Sequence, residues 1–345
     1  MWAAGLRNMQ IDAVRGLACV LLVAYHAIGS SPQNGMQIPV ESWIHSLNES
    51  LGFIRMPLFT FLSGIVYAAR PVEWASVGHF MRGKVLRLLL PLLFVGLLFV
   101  FLQTLTPGSH IKPPVENILR ILIFPYAHFW YLQALFCIFT LIALLECAGA
   151  LSTLKKALAI TFLSCALFFF RNDFPSLFSV DRAVYLLPFF LSGLLIARFP
   201  DELYRPRSII PALVMVAGAV VLSLLPLGLP NFALSLLRLS VGVAAALIIV
   251  SVTPASPALA WLGFYSYTIY LYHVFGTAGA RIVLSRLLPD FPLLIFCASL
   301  AAGLILPVLV HHAFCKIPYL SRALLGVRAK DARQGPALLK KTREA

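Results

Sequence analysis

The feature that most constrains this chain is a succession of apolar runs, each roughly 20 residues long, that follow one another almost without pause from residue 11 to residue 315. A helix of that length covers the ~30 Å hydrocarbon core of a bilayer, and no single water-soluble core can hide so many of them. Composition agrees, with 60% hydrophobic and 12% charged residues and a mean hydropathy of +0.90. The pattern predicts an all-α, polytopic membrane protein of about ten spans, at 11–30, 50–69, 88–106, 128–147, 155–170, 183–199, 208–228, 231–252, 257–276 and 291–315. The stretch 117–127 is too short to cross and reads as an interfacial or re-entrant helix. Without an internal repeat or low-complexity linker, residues 1–345 are expected to form a single transmembrane domain, with a basic tail at 316–345.

Charge gives an orientation. With the N-terminus inside, the inner segments hold 18 of the 27 lysines and arginines, and the outer ones hold six, Lys112, Arg120, Arg171, Arg182, Arg281 and Arg286. This excess predicts both termini in the cytoplasm. It also accounts for the net charge of +14, and the basic tail reads as a contact with anionic membrane lipid. No nucleic-acid motif or folded basic face accompanies it, so nucleic acid is not an expected partner. The six cysteines lie in or beside apolar spans without a CxxC pair and read as small core residues. Arg15 interrupts the apolar stretch that a cleaved signal peptide would need, so the first span is expected to be permanent.

That first span, "IDAVRGLACVLLVAYHAIGS", carries an unusual polar stripe. On a helix, Asp12, Arg15, Cys19, Leu22 and His26 recur at three- and four-residue spacing along one side, with Arg15 and His26 ~16 Å apart in depth. Charged groups in mid-span cost at least ~2.5 to 3.5 kcal/mol and normally face a bundle interior or a wet cavity. Asp12 can cap the helix start or pair with Arg15. Arg15 can pair or snorkel, or else serve a site, and His26 is either a hydrogen-bonded core histidine or a reactive one. In the second span Arg55 precedes a proline and a phenylalanine-rich run, and Ser63-Gly64 suits either close backbone approach or a ligand contact.

These residues resemble a known family. Arg15 and His26, with ten residues between them, resemble the R-x10-H signature of membrane-bound acyltransferase family 3. "RMPLFTFLSG" (55–64) is similar to its second-span motif, "HFWYL" (128–132) to its mid-chain tryptophan motif, and "SYTIYLYHVF" (266–275) to its late-span motif. The resemblance implies about ten helices in the bacterial inner membrane. It also implies transfer of an acyl group, commonly acetyl from acetyl-CoA, to a hydroxyl of a cell-surface or lipid-linked saccharide. Acyl-CoA would be a co-substrate, with no bound cofactor and no metal. Position by position, His26 becomes the catalytic histidine and Arg15 its partner. The family's basic R-x-x-R is matched by Lys84 and Arg87, with Arg82 just upstream; lysine there is a point charge where arginine is a bidentate fork. Asp12, Arg55, Ser63, Lys84, Arg87 and Trp130 are the candidates for holding the acyl donor or the acceptor. A histidine can take the acceptor's hydroxyl proton or can itself carry the acyl group.

Elsewhere, His128 and His273 fall at outer span ends and read as interfacial hydrogen-bonding histidines rather than metal ligands. Trp130, Tyr131, Trp261, Tyr265 and Tyr272 suit an aromatic belt or sugar stacking. Arg238, inside the eighth span, matches no motif. From another function class, a proton-coupled transporter of an anionic solute would also bury Asp, Arg and His. The paired broken helices common in transporters are not evident. Oligomeric state is not legible.

Overall fold

The computed structural model describes residues 9–29, 31, 33–107, 119–203 and 230–327, with isolated positions between 210 and 218. Its described residues form helices and turns only. In chain order these are α1 (Met9–Ile28), α2 (Trp43–Ser50), α3 (Gly52–Ala68), α4 (Val77–Lys84), α5 (Leu90–Leu105), α6 (Arg120–Ile123), α7 (Trp130–Cys147), α8 (Leu154–Phe169), α9 (Val180–Arg198), α10 (Pro200–Leu203), α11 (Asn231–Val252), α12 (Pro257–Phe264), α13 (Ser266–Leu287), α14 (Pro292–Phe314) and α15 (Pro318–Leu325).

Seven helical stretches are long and apolar enough to cross a membrane: Met9–Ile28, Trp43–Ala68, Trp74–Leu105, Trp130–Cys147, Leu177–Arg198, Asn231–Val252 and Pro292–Phe314. The chain is therefore a multi-pass membrane protein. The segment expected as the fifth span is helical, as α8, but its 16 residues reach only ~24 Å and it is not among the seven. The seventh, 208–228, lies outside the described residues, as do Arg7, Lys112, Arg205, Arg207 and the tail beyond residue 327. The ninth, expected unbroken over 257–276, is instead two helices that meet at Tyr265. The second of them continues to Leu287 and carries His273, Arg281 and Arg286.

The basic segment around Lys84 and Arg87, expected as a loop, is helical throughout. The helix α4 runs through a π turn at Val85–Leu89 straight into α5. The cause is Pro91, which has no N–H to give to the carbonyl of Arg87 one turn earlier. That carbonyl is taken up by the hydroxyl of Tyr267.

Contacts cluster into two compact units. Unit 1 comprises residues 1–8, 50–85 and 123–254, and unit 2 comprises 9–49, 86–122 and 255–345. In unit 1, α3, α7 and α9 run the same way. Arg198 at the end of α9 grips Glu146 at the end of α7 through two bonds, Nη1–Oε1 of 3.0 Å and Nη2–Oε2 of 2.9 Å, and Cys147 Sγ lies 4.0 Å from the carbonyl of Val72, just past α3. The helices α3 and α9 cross where each offers a glycine. A Cβ on Gly64 would run into the Phe190 carbonyl, and one on Gly193 into that of Phe61. Such close approach replaces the hydrophobic drive that is missing between helices in lipid. Tyr67, Phe139 and Phe190 fill the space beside the crossing, with Phe139 and Phe190 edge to face at 5.5 Å.

In unit 2, α1 packs against α12, α13 and α14. It runs opposite to α12: Gly16 lies on the backbone of Leu259, and Gly263 on that of Asp12, with no room for a Cβ at either place. It runs alongside α13, since Cys19 Sγ lies 3.9 Å from the Ser266 carbonyl and His26 adjoins His273. The helix α14 returns against α13, and His311 Nδ1 reaches Thr268 Oγ1 at 3.1 Å.

Candidate active site

The predicted stripe on α1 forms, and its surroundings come from the far end of the sequence. Asp12 is 4% exposed, and its Oδ1 accepts from Arg15 Nη1 at 3.1 Å. Of the two readings for Asp12, the structure shows the pair. Arg15 keeps 29% of its side chain accessible, while its partner is buried. Cys19 and Leu22, next along the stripe, are buried.

Two turns beyond Cys19, His26 is half-buried, and its imidazole meets that of His273, with ring centroids 4.8 Å apart and planes at 55°. Tyr25 closes another side, edge-on at 4.9 Å. His273 is wholly buried. Its Nδ1 sits 2.9 Å from each of the carbonyls of Ile269 and Tyr270. Both are acceptors, so Nδ1 carries the proton and donates, and the ring's lone pair falls on Nε2. The helix backbone thus fixes the tautomer of the second imidazole and offers its basic nitrogen away from that backbone. The sequence expected His273 to be an interfacial histidine. Its place in "SYTIYLYHVF", the stretch resembling the late-span motif, was the available signal.

The His26 end of α1 is held in place. Gly29, at φ 117°, turns the chain. The buried amide of Asn48 on α2 donates to its carbonyl at 2.9 Å, and Met36 N donates to the Ile28 carbonyl at 2.8 Å. A side chain at Gly29 would meet both the left-handed backbone and the Asn34 carbonyl.

At the other end of unit 2, Arg87 is exposed, with its guanidinium 5.5 Å from the Tyr267 ring. Ser266 adjoins Cys19, so Arg87 and Arg15 lie toward the same end, and His26 lies about two turns further along. Tyr265 OH meets His312 Nε2 at 3.1 Å there. Cationic groups at one end and an imidazole pair further in suit an elongated anionic ligand with a reactive group at its tip.

The remaining candidates belong to unit 1. Arg55 is 5% exposed at the start of α3. Ser63 donates to the Phe59 carbonyl of its own helix at 2.9 Å, so part of its hydrogen-bonding capacity is spent on the backbone. Lys84 rests its ammonium over the rings of Phe139 at 3.4 Å and Phe80 at 4.7 Å, a cation–π seat rather than an open basic loop. Trp130 stacks under the Arg182 guanidinium at 5.0 Å. Just before α7, burial pushes the Tyr126 phenol up to about 12. Among the described residues, no three His, Cys, Asp or Glu side chains converge to hold a metal ion.

A family model described as an acyltransferase domain matches residues 8–312, a stretch that runs through both units. Neither a curated protein nor a solved structure matches the chain.

Proposed function

Because the chain belongs to acyltransferase family 3, we propose that it transfers an acyl group, acetyl from acetyl-CoA, to a hydroxyl of an exported or lipid-linked saccharide at the bacterial inner membrane. The observation that carries this reading is the pairing of His26 with His273 on the same helix face, and in the same unit, as the Asp12–Arg15 pair. The family match gives no support to the transporter alternative.

In this reading both termini are cytoplasmic, and Arg15 and Arg87 mark the inner end. CoA is long and polyanionic. Its phosphates bind the exposed Arg87 guanidinium, and its chain runs past Arg15 to bring the thioester to His26. The acceptor oxygen attacks the thioester carbonyl carbon while His26 takes the hydroxyl proton. The C–S bond then breaks, and the CoA thiolate leaves and recovers the proton from the imidazolium. His273 touches neither substrate; it holds the ring of His26 in position. Asp12 fixes the direction of Arg15. In unit 1, Trp130 on α7 offers an aromatic face to the acceptor, and Arg55 and Ser63 lie on α3. Membrane lipid surrounds the whole.

Purified protein in detergent, given acetyl-CoA labelled in the acetyl group and total surface saccharide from the source membrane, should move label to the saccharide. His26→Ala should reduce transfer by ~10²- to 10⁴-fold without lowering membrane abundance. A mutant that retains more than a tenth of the rate refutes the assignment of His26.

A further inference from the structure

We propose that the end of unit 1 where α9 and α11 begin is a phosphate-binding site built from Arg171 and Arg238, and that it holds a phosphate carried by the saccharide acceptor. The assignment rests on the acyltransferase reading for the word acceptor, but not for the binding itself.

Arg238 had no explanation in the sequence. It lies two turns into α11 with its guanidinium 5.4 Å from the Phe53 ring, and its Nε is buried without a hydrogen-bond partner. Arg171, just past α8, donates through Nη1 to the Phe168 carbonyl at 2.8 Å and to Ser235 Oγ at 3.1 Å. Ser235 is one turn before Arg238 on α11, so the two guanidinium groups occupy adjacent turns. Burial first, and then repulsion by Arg238, lowers the Arg171 pKa below its usual value.

Packing like charges together in a poorly solvated place is unfavourable unless an anion completes it. Among the described residues, neither Asp173, which is exposed, nor Asp181, whose Oδ1 is buried without a partner, makes an ion pair with Arg171 or Arg238. Two guanidinium groups in adjacent turns match a phosphate, with its multiple charges and several oxygens, better than a single carboxylate. The Trp130–Arg182 stack begins α7 and α9 at this same end of the unit. It supplies a flat aromatic face on which the sugar next to that phosphate can lie.

The test is a binding measurement on the full chain in nanodiscs without acyl-CoA, using farnesyl phosphate, a hexose 1-phosphate, inorganic phosphate and neutral farnesol as probes. At least one phosphate ester should bind tenfold or more tightly than farnesol. Preference for farnesyl phosphate indicates a lipid-linked phosphate, and preference for the hexose ester indicates a phosphosaccharide. Arg238→Gln and Arg171→Gln should each weaken binding by at least tenfold, Arg238→Lys by less, and His26→Ala not at all. Absence of binding to every phosphate probe, binding of inorganic phosphate alone, or unchanged binding in both glutamine variants overturns the proposal. Because Arg171 lies outside the spans, its variant reports even where an Arg238 variant fails to fold. Phosphate binding by a protein that shows no acyl transfer sinks the enzymatic reading and leaves this site standing; transfer to neutral acceptors without phosphate binding does the reverse.

Discussion

The imidazoles of His26 and His273 face each other at 4.8 Å although they come from the first and the penultimate long helices of unit 2. Through its Nδ1 the backbone of α13 sets the tautomer of His273, and His273 in turn limits the orientations open to His26. In the proposed reaction it would be a positioning residue. His273→Ala should lower kcat by roughly 10- to 100-fold and leave KM for acetyl-CoA within about threefold, and it should shift the pH at which kcat/KM reaches half its plateau. An equal loss in KM, with an unmoved pH profile, would mean that the ring only fills space.

The Asp12–Arg15 pair is asymmetric, and its two halves should respond differently. Arg15→Ala leaves a buried carboxylate without its cation, whereas Asp12→Asn leaves an arginine that is partly accessible. The first should destabilise by about 1–3 kcal/mol after allowance for the accessibility of Arg15, and the second by less than about 1 kcal/mol. Thermal unfolding in detergent measures both, and a reversed order contradicts the geometry.

Glycine substitutions separate backbone contact from mere helix content. Gly263→Ala drives a methyl into the Asp12 carbonyl, so it should cost about 3 kcal/mol or more and displace the start of α1. Gly78→Ala in α4 meets nothing within 4 Å and should be neutral or stabilising by up to about 1 kcal/mol. Expression level and unfolding midpoint of the two variants, compared side by side, decide the matter.

The bond from Tyr267 to the Arg87 carbonyl exists because Pro91 cannot make one. Tyr267→Phe should therefore cost about 1 kcal/mol. In a Pro91→Ala background, where an N–H is restored to the helix, the same change should cost less. A double-mutant cycle with no coupling between the two positions would dissolve this link.

Much of this arrangement was legible in the residues themselves. The Asp12–Arg15 pair follows from i, i+3 spacing, and α1, α3, α7, α11 and α14 follow from apolar runs bounded by polar ends. What escaped notice depends on distant partners or on backbone chemistry that hydropathy does not register. The break at Tyr265 has no proline to announce it, and Gly263 two residues earlier lies against the Asp12 backbone where α12 meets α1. The π turn is encoded by Pro91, but only the presence of Tyr267 lets its freed carbonyl be satisfied. His273 looked like one more interfacial ring until α13 brought it beside His26, and Arg238 had meaning only next to Arg171.

The Asp12–Arg15 pair also bears on how the protein is made. The helix α1 is synthesised well before α13 and α14, which complete its surroundings. In the interval, the newborn segment must enter lipid unaccompanied. A carboxylate and a guanidinium one turn apart neutralise each other without help from any other helix, so the segment can be inserted early and wait. The imidazole at its far end acquires its neighbour only once α13 has been made, so the histidine pair assembles later than the ion pair on the same helix.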